Sequence, residues 1–315
     1  MFAMLLKTPV VASMRQYAGK DLISMADLSK EEIEEIILLS SLMKKKPHPS
    51  LLQGHILASC FFEPSTRTRL SFEAAMHRLG GSVIGFADGA TTSAQKGEPL
   101  SDTMRVIGDL ADVIAIRHSA EGSARVAAEA TETPVINAGD GANQHPTQTL
   151  LDLFTIHELF GKIDGLHIAI TGDLKYARAV HSLAMGLSHY SVRLYFIAPQ
   201  ELTLPEEIAE VLRKAGVKVS YHAEFLSLLP KLDIVYLTRR QKERGDIVFD
   251  KALFTLEPSH LKTAKETLRV MCPMPRMSEI STAVDALPQA VYFEQAANGV
   301  FVRQAILSML LGKAP

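Results

Sequence analysis

Ser65-Thr66-Arg67-Thr68-Arg69 sets three hydroxyls and two guanidinium groups in five consecutive positions. The apolar run before it, His55 to Phe62, predicts a buried strand. The stretch after it, Leu70 to Leu79, predicts a helix stopped by Gly80-Gly81. The five residues therefore sit at a strand-to-helix corner. There the first helical turn offers backbone N–H groups and the positive end of its dipole. Hydroxyls, amides and guanidinium groups converging on one point suit a phosphate dianion. The plain alternative is a Ser or Thr helix cap flanked by solvated arginines.

Strands and helices alternate along the whole chain, which predicts parallel sheets covered on both faces. Ser29-Lys30-Glu31-Glu32 is a capping box opening a helix to about Met43. Strands are expected at 82–86, 113–116, 134–138, 167–170, 192–197, 217–220, 233–237 and 268–271. Helices are expected at about 98–110, 122–130, 146–160, 176–187, 205–215 and 298–311. Gly161 to Gly165 is a turn cluster between two halves. The expected fold is α/β, with two doubly wound parallel-sheet domains and a cleft between them.

Ligands of such sheets lie beyond the carboxyl ends of the strands. In the first half that rule selects Ser65 to Arg69, Arg117-His118 and the loop Asp140 to Gln148. In the second it selects Gly172 to Lys175, Thr238 to Gln241 and Cys272 to Arg276. The first set suits phosphate; the arginines of the second suit carboxylates.

With 315 residues, 47% of them hydrophobic and 22% charged, two packed globular domains are expected. A formal net charge of −2 gives no basis for nucleic-acid binding. Lys44-Lys45-Lys46 ends a helix, where cations complement the dipole. Cys60 and Cys272 lie in apolar runs and read as free thiols in a reducing compartment. They form no zinc-binding set. Met1 to Met14 is broken by Lys7 and Pro9 and is not read as a signal peptide. With no apolar run of membrane-spanning length, a soluble cytoplasmic protein is expected.

Four separated motifs give the chain a resemblance to the aspartate and ornithine carbamoyltransferases. They are Phe62-Glu63-Pro64-Ser65-Thr66-Arg67-Thr68-Arg69, His145-Pro146-Thr147-Gln148, Gly172-Asp173-Leu174-Lys175 with Arg178-Ala179-Val180-His181-Ser182, and the run from Leu237 to Arg244. The last has the form of the aspartate branch. The resemblance implies a first domain of residues 1–150, with a C-terminal helix at about 298–315 packing back on it, and a second of residues 151–297. It implies that the first domain binds carbamoyl phosphate and the second L-aspartate. Ser65, Thr66, Arg67 and Thr68 would hold the phosphate, with Ser93 and Lys96 reaching it from the neighbouring subunit of a homotrimer. Thr68, Arg117 and His145 would donate to the carbonyl oxygen, and Gln148 would accept from the carbamoyl amide. Arg178, Arg239 and Gln241 would hold the two carboxylates of aspartate, with Lys96 among the aspartate contacts. Backbone carbonyls around Pro273 and Met274 would face the reacting nitrogen, beside a cis bond before Pro275. Such a reaction needs no metal, no cofactor and no protein nucleophile. A separate regulatory chain is a further possible partner.

Other readings of these residues stay open. His145 precedes a proline at a helix start and has a capping role as its alternative. His118 and His181 read as structural. Arg178 and Arg239 could pair with the protein's own carboxylates, and Arg244 with Glu63. Cys272 stands where the aspartate branch commonly has histidine, and a catalytic thiol is the sharp alternative. Rival functions are carbamoyl transfer to ornithine and a non-catalytic fold that binds carbamoyl phosphate or a protein.

Overall fold

The computed structural model describes residues 16–241 and 255–315. The described chain divides into two compact units, one of residues 16–150 with 298–315 and one of residues 151–241 with 255–297.

The first unit holds α1 (Lys30–Lys45), β1 (Ile56–Phe61), α2 (Arg67–Arg78), β2 (Ser82–Phe86), α3 (Leu100–Gly108), β3 (Val113–His118), α4 (Ser123–Ala130) and β4 (Val135–Asp140). The capping box forms as expected: Ser29 Oγ accepts the Glu32 N–H, and the Glu32 carboxylate accepts the Ser29 N–H. Its four strands are all parallel, in the order β2-β1-β3-β4. The chain winds outward in both directions from β1, so the order reverses between β1 and β3. Ile114 and Ile116 from β3 pack with Ala58 and Cys60 from β1 and with Met104 and Ala127 from the helices.

α5 (Pro146–Phe160) leads into the second unit, with β5 (His167–Thr171), α6 (Arg178–Leu187), β6 (Arg193–Ile197), α7 (Glu206–Lys214), β7 (Lys218–His222), β8 (Ile234–Leu237) and β9 (Arg269–Met271); α8 (Tyr292–Leu310) ends the chain's regular structure. Its five strands are parallel in the order β7-β6-β5-β8-β9, and the reversal falls between β5 and β8. Among the described residues no helix is long and apolar enough to cross a membrane.

Four boundaries differ from the expected ones for identifiable physical reasons. α2 starts at Arg67, not Leu70, because a first helical turn facing solvent needs no apolar residue. β3 and β4 run on through His118 and Asp140, where polar residues still pair in the ladder. α8 begins at Tyr292, six positions before Asn298, because buried Gln295 interrupts the apolar pattern.

Candidate active site

In the first unit β1 and β3 end level with one another. Phe61 pairs with Arg117, and the Phe62 N–H donates to the Arg117 carbonyl at 2.8 Å. The corner after β1 therefore faces the end of β3 across the switch point. Arg117 Nε donates to Glu63 Oε1 at 2.8 Å, and Nη1 donates to Ser65 Oγ at 3.3 Å. Thr66 is the N-cap of α2 but makes no side-chain cap; the helical ladder starts with Leu70 N–H to the Thr66 carbonyl, 3.1 Å. Arg67 is exposed. Arg69 turns to Glu73, 2.9 Å away, and that carboxylate also accepts from Ser59.

His145 arrives from the loop after β4. Its backbone carbonyl accepts the N–H groups of Gln148 and Thr149, while its ring Nε2 lies 3.5 Å from Thr68 Oγ1. The carbonyl takes the capping role at this helix start, and the imidazole faces the corner. Thr68, His145 and Gln148 are all buried. Asp140 shapes this loop. Its Oδ1 accepts from Asn137 Nδ2 and the Gln144 N–H, and its Oδ2 from Asn143 Nδ2 and the Gly122 N–H. His118 is structural: its Nδ1 accepts the Ala120 N–H at 2.9 Å and its ring packs on Phe62. Burial pulls the pKa of His118 down, with Glu63 opposing that shift.

In the second unit Thr171 pairs with Leu237. A Cβ on Gly172, φ +116°, would lie 2.0 Å from the Thr238 carbonyl oxygen. Only glycine lets the two strand exits pass this closely. Asp173, buried at that exit, accepts the Tyr176 N–H through Oδ1 and the Gln241 N–H through Oδ2, both at 2.9 Å. It thereby fixes the 239–241 segment beside the loop leading to Arg178. Arg178 is buried at the start of α6, and Arg239 donates to the Arg240 carbonyl at 2.9 Å. His181 Nε2 is 3.0 Å from the Leu174 carbonyl, so it carries a proton there and supports the same loop. Burial raises the pKa of Glu279, and the charges of Arg239 and Arg276 act against that rise. Asp140 and Asp173 fall in strand-end segments selected from the sequence but were given no role there, and Glu279 lies outside those segments. An Asp after a strand-end glycine was their only signal, at residues 140 and 173.

Pro273 and Met274 follow β9, and the Met274–Pro275 bond is cis as expected. Cys272 is buried and its sulfur accepts the Met274 N–H, an arrangement suited to structure, not to attack on a substrate. Ser93 and Lys96 lie on an exposed loop. Among the described residues no hydrogen bond or ion pair joins Lys96 to the corner at 65–68. Lys242, Glu243 and Arg244 lie outside the described residues, and with them the expected Glu63–Arg244 pair. No group of three His, Cys, Asp or Glu suited to a metal ion occurs among the described residues.

The other thiol is inert for a different reason: burial pushes Cys60 up to about 12. At pH 8.5 roughly one native molecule in 3,000 holds that thiolate, so alkylation by iodoacetamide should be slow until the protein unfolds. An unfolded thiol has a pKa of about 8.5. The folded form thus holds its proton more tightly, and this contribution to stability is lost as pH rises from about 8.5 towards 12. Rapid labelling of Cys60 in the native protein at pH 8.5 would contradict the burial.

Two doubly wound units, each with polar side chains gathered at its switch point, define an α/β enzyme architecture. Family profiles make the class specific. Residues 20–158 match the aspartate/ornithine carbamoyltransferase carbamoyl-P binding domain, and residues 164–310 match the Asp/Orn binding domain of the same family. The chain belongs to the aspartate/ornithine carbamoyltransferase family. It is 52% identical over 305 residues to the aspartate carbamoyltransferase catalytic subunit of Thermococcus onnurineus (strain NA1), covering 94% of this chain and 98% of the relative. Among solved structures, it resembles the aspartate transcarbamoylase of Trypanosoma cruzi in complex with carbamoyl phosphate and aspartate, with a TM-score of 0.88 and 39% identity over 94% of this chain and 97% of that one. The catalytic subunit of M. jannaschii aspartate transcarbamoylase is likewise similar, with a TM-score of 0.85 and 47% identity over 93% and 98% of the two chains.

Proposed function

We propose that this chain transfers the carbamoyl group of carbamoyl phosphate to the α-amino group of L-aspartate, giving N-carbamoyl-L-aspartate and phosphate. The observation that carries the reading is the gathering of Ser65, Thr68, Arg117 and His145 at the β1–β3 switch point. Hydroxyl, guanidinium and imidazole donors meet there.

The chemistry follows from those groups. Ser65, Thr66, Arg67 and Thr68, with the first amides of α2, hold the phosphate dianion. Glu63 occupies Arg117 in this structure, and the substrate's carbonyl oxygen has to compete for that guanidinium. Thr68, Arg117 and His145 stabilise the negative charge that grows on this oxygen as the deprotonated amine attacks. Gln148 accepts from the carbamoyl amide. Arg178, Arg239 and Gln241 hold the two carboxylates of aspartate, and the carbonyls of Pro273 and Met274 face the amine. Phosphate leaves and one of its oxygens takes the amine proton. No covalent enzyme intermediate intervenes, and much of the rate comes from holding two anions together.

The test is to offer aspartate and ornithine separately with carbamoyl phosphate. Formation of N-carbamoyl-L-aspartate is expected; turnover of ornithine alone would overturn the reading. Our reading assigns this reaction to an early step of pyrimidine biosynthesis and the chain to the cytoplasm.

The active assembly is a homotrimer in which Ser93 and Lys96 serve a neighbour's site; a regulatory chain can enlarge it. The exposed position of both residues supports this. Trimers reassembled from a mixture of Lys96→Ala and Arg67→Ala chains should then regain activity that neither variant has alone, because some sites draw both native residues. No recovery on mixing would place Lys96 in its own chain's site or in none.

A further inference from the structure

A buried polar chain in the second unit leads to the turn at Pro273 and Met274. Asp152 on α5 is fully buried. Its Oδ2 accepts from the Tyr236 hydroxyl at 2.8 Å and its Oδ1 from Gln295 Nε2 at 2.6 Å. Gln295, also buried, turns its Oε1 to the Cys272 N–H at 2.8 Å. The ends of this amide are fixed by chemistry: a backbone N–H only donates, so the amide oxygen faces Cys272 and the amide nitrogen faces Asp152. Beyond it, Cys272 Sγ accepts the Met274 N–H at 3.4 Å. Met274 has φ +55°, the left-handed region, and no other described non-glycine residue has a positive φ. A side chain held there is strained and persists only where its surroundings over-determine it.

We infer that Asp152, Gln295 and Cys272 are positioning residues for carbamoyl transfer, holding Met274 in its left-handed conformation and so aiming the Pro273 and Met274 carbonyls at the acceptor's amine. This rests on the proposed function, in which those carbonyls face the amine. Cys272 acquires a role thereby, since its sulfur is the acceptor that closes the turn. The three residues act through the backbone and touch no substrate.

Gln295→Glu tests it. Asp152 from α5, Tyr236 from β8 and Cys272 after β9 are titratable groups that the described hydrogen bonds link to this position. At pH 8.5 two carboxylates would share one buried site and repel. A displaced turn should then lower kcat/KM for aspartate by up to about 100-fold. As pH falls, one proton bridging the two carboxyls restores the link. The ratio of variant to wild-type kcat/KM should therefore climb several-fold between pH 8.5 and 6.5. Gln295→Met, which cannot make that bridge, should show a loss that does not change with pH. Carbamoyl phosphate affinity, measured by calorimetry, should stay within about twofold in both, because the phosphate cradle is elsewhere. At the turn itself, Cys272→Ser should retain most activity and Cys272→Val lose it, since only serine keeps an acceptor for the Met274 N–H; this pair decides the matter if Gln295→Glu does not fold.

A ratio that is flat with pH, equal activity in the two Cys272 variants, or a parallel fall in carbamoyl phosphate affinity would overturn the inference. A wild-type protein that makes no N-carbamoyl-L-aspartate would instead sink the functional reading beneath it.

Discussion

Arg117→Ala is expected to lower kcat by about 1,000-fold while the protein stays folded. Removing one preorganised donor to a developing oxyanion typically costs about 100- to 1,000-fold. Arg117 should lie at the upper end because its donor carries a full charge. Its removal also changes the sign of the local field. Glu63, now held by the Arg117 guanidinium at 2.8 Å, would keep its carboxylate beside the phosphate cradle with no partner from β3. Carbamoyl phosphate affinity should therefore fall as well as kcat. Arg117→Ala/Glu63→Gln should recover much of the affinity and little of kcat. The neutral amide removes the repulsion but supplies no cation to the carbonyl oxygen. Stopped-flow turnover with calorimetric binding separates the two effects. Wild-type kcat in the single variant would remove Arg117 from the proposed mechanism.

The strand ends that matter were legible because parallel sheets impose their own order. Val113-Ile114-Ala115-Ile116 is buried on both faces, so its apolar run announces a central strand, and Arg117 marks where burial stops. Ile168 to Ile170 are likewise buried, but there burial continues through Gly172-Asp173, so only the glycine and the carboxylate mark the strand's end. What sequence could not supply is partners distant along the chain. The four donors that Asp140 gathers come from residues 122, 137, 143 and 144, and an aspartate in a glycine-rich loop looks the same with none of them. Cys272 meets Gln295 across 23 positions. Glu279 lies in the field of Arg239 from 40 positions away, a juxtaposition made only by folding. Helix starts were displaced for a local reason. Thr66 and Arg67 show no apolar periodicity, although backbone geometry already begins the helix there.

The two sheets reach the same kind of site by the same winding, the second with one more strand. The first reverses between β1 and β3 and the second between β5 and β8. Each reversal splays the chain to opposite faces and leaves room at the carboxyl edge for polar side chains. Buried carboxylates then act alike in each unit. Asp140 ties down the loop that delivers His145, and Asp173 ties down the segment that carries Arg239 and Gln241. Neither needs to touch a substrate to matter. A guanidinium or imidazole set within a fraction of an ångström by such anchors loses little freedom on binding.

Arg239→Ala is expected to raise KM for aspartate by roughly 30- to 3,000-fold, the range of about 2–5 kcal/mol for truncating one partner of a buried charge pair. The effect should be specific to the second substrate. Arg239 lies in the second unit, on a segment whose Gln241 N–H is held by Asp173, so the backbone should stay in place when the side chain is cut. Carbamoyl phosphate should bind with unchanged affinity. Arg239→Lys should recover only part of the loss, because an ammonium cannot form the paired, planar contact that a guanidinium makes with a carboxylate. Glu279 offers an internal check. Burial already raises its pKa and Arg239 restrains that rise; without the arginine it should rise further. Infrared difference spectra of the carboxyl band would follow that change with no substrate present. An Arg239→Ala protein with normal KM for aspartate would mean that the acceptor's carboxylates are held by other residues.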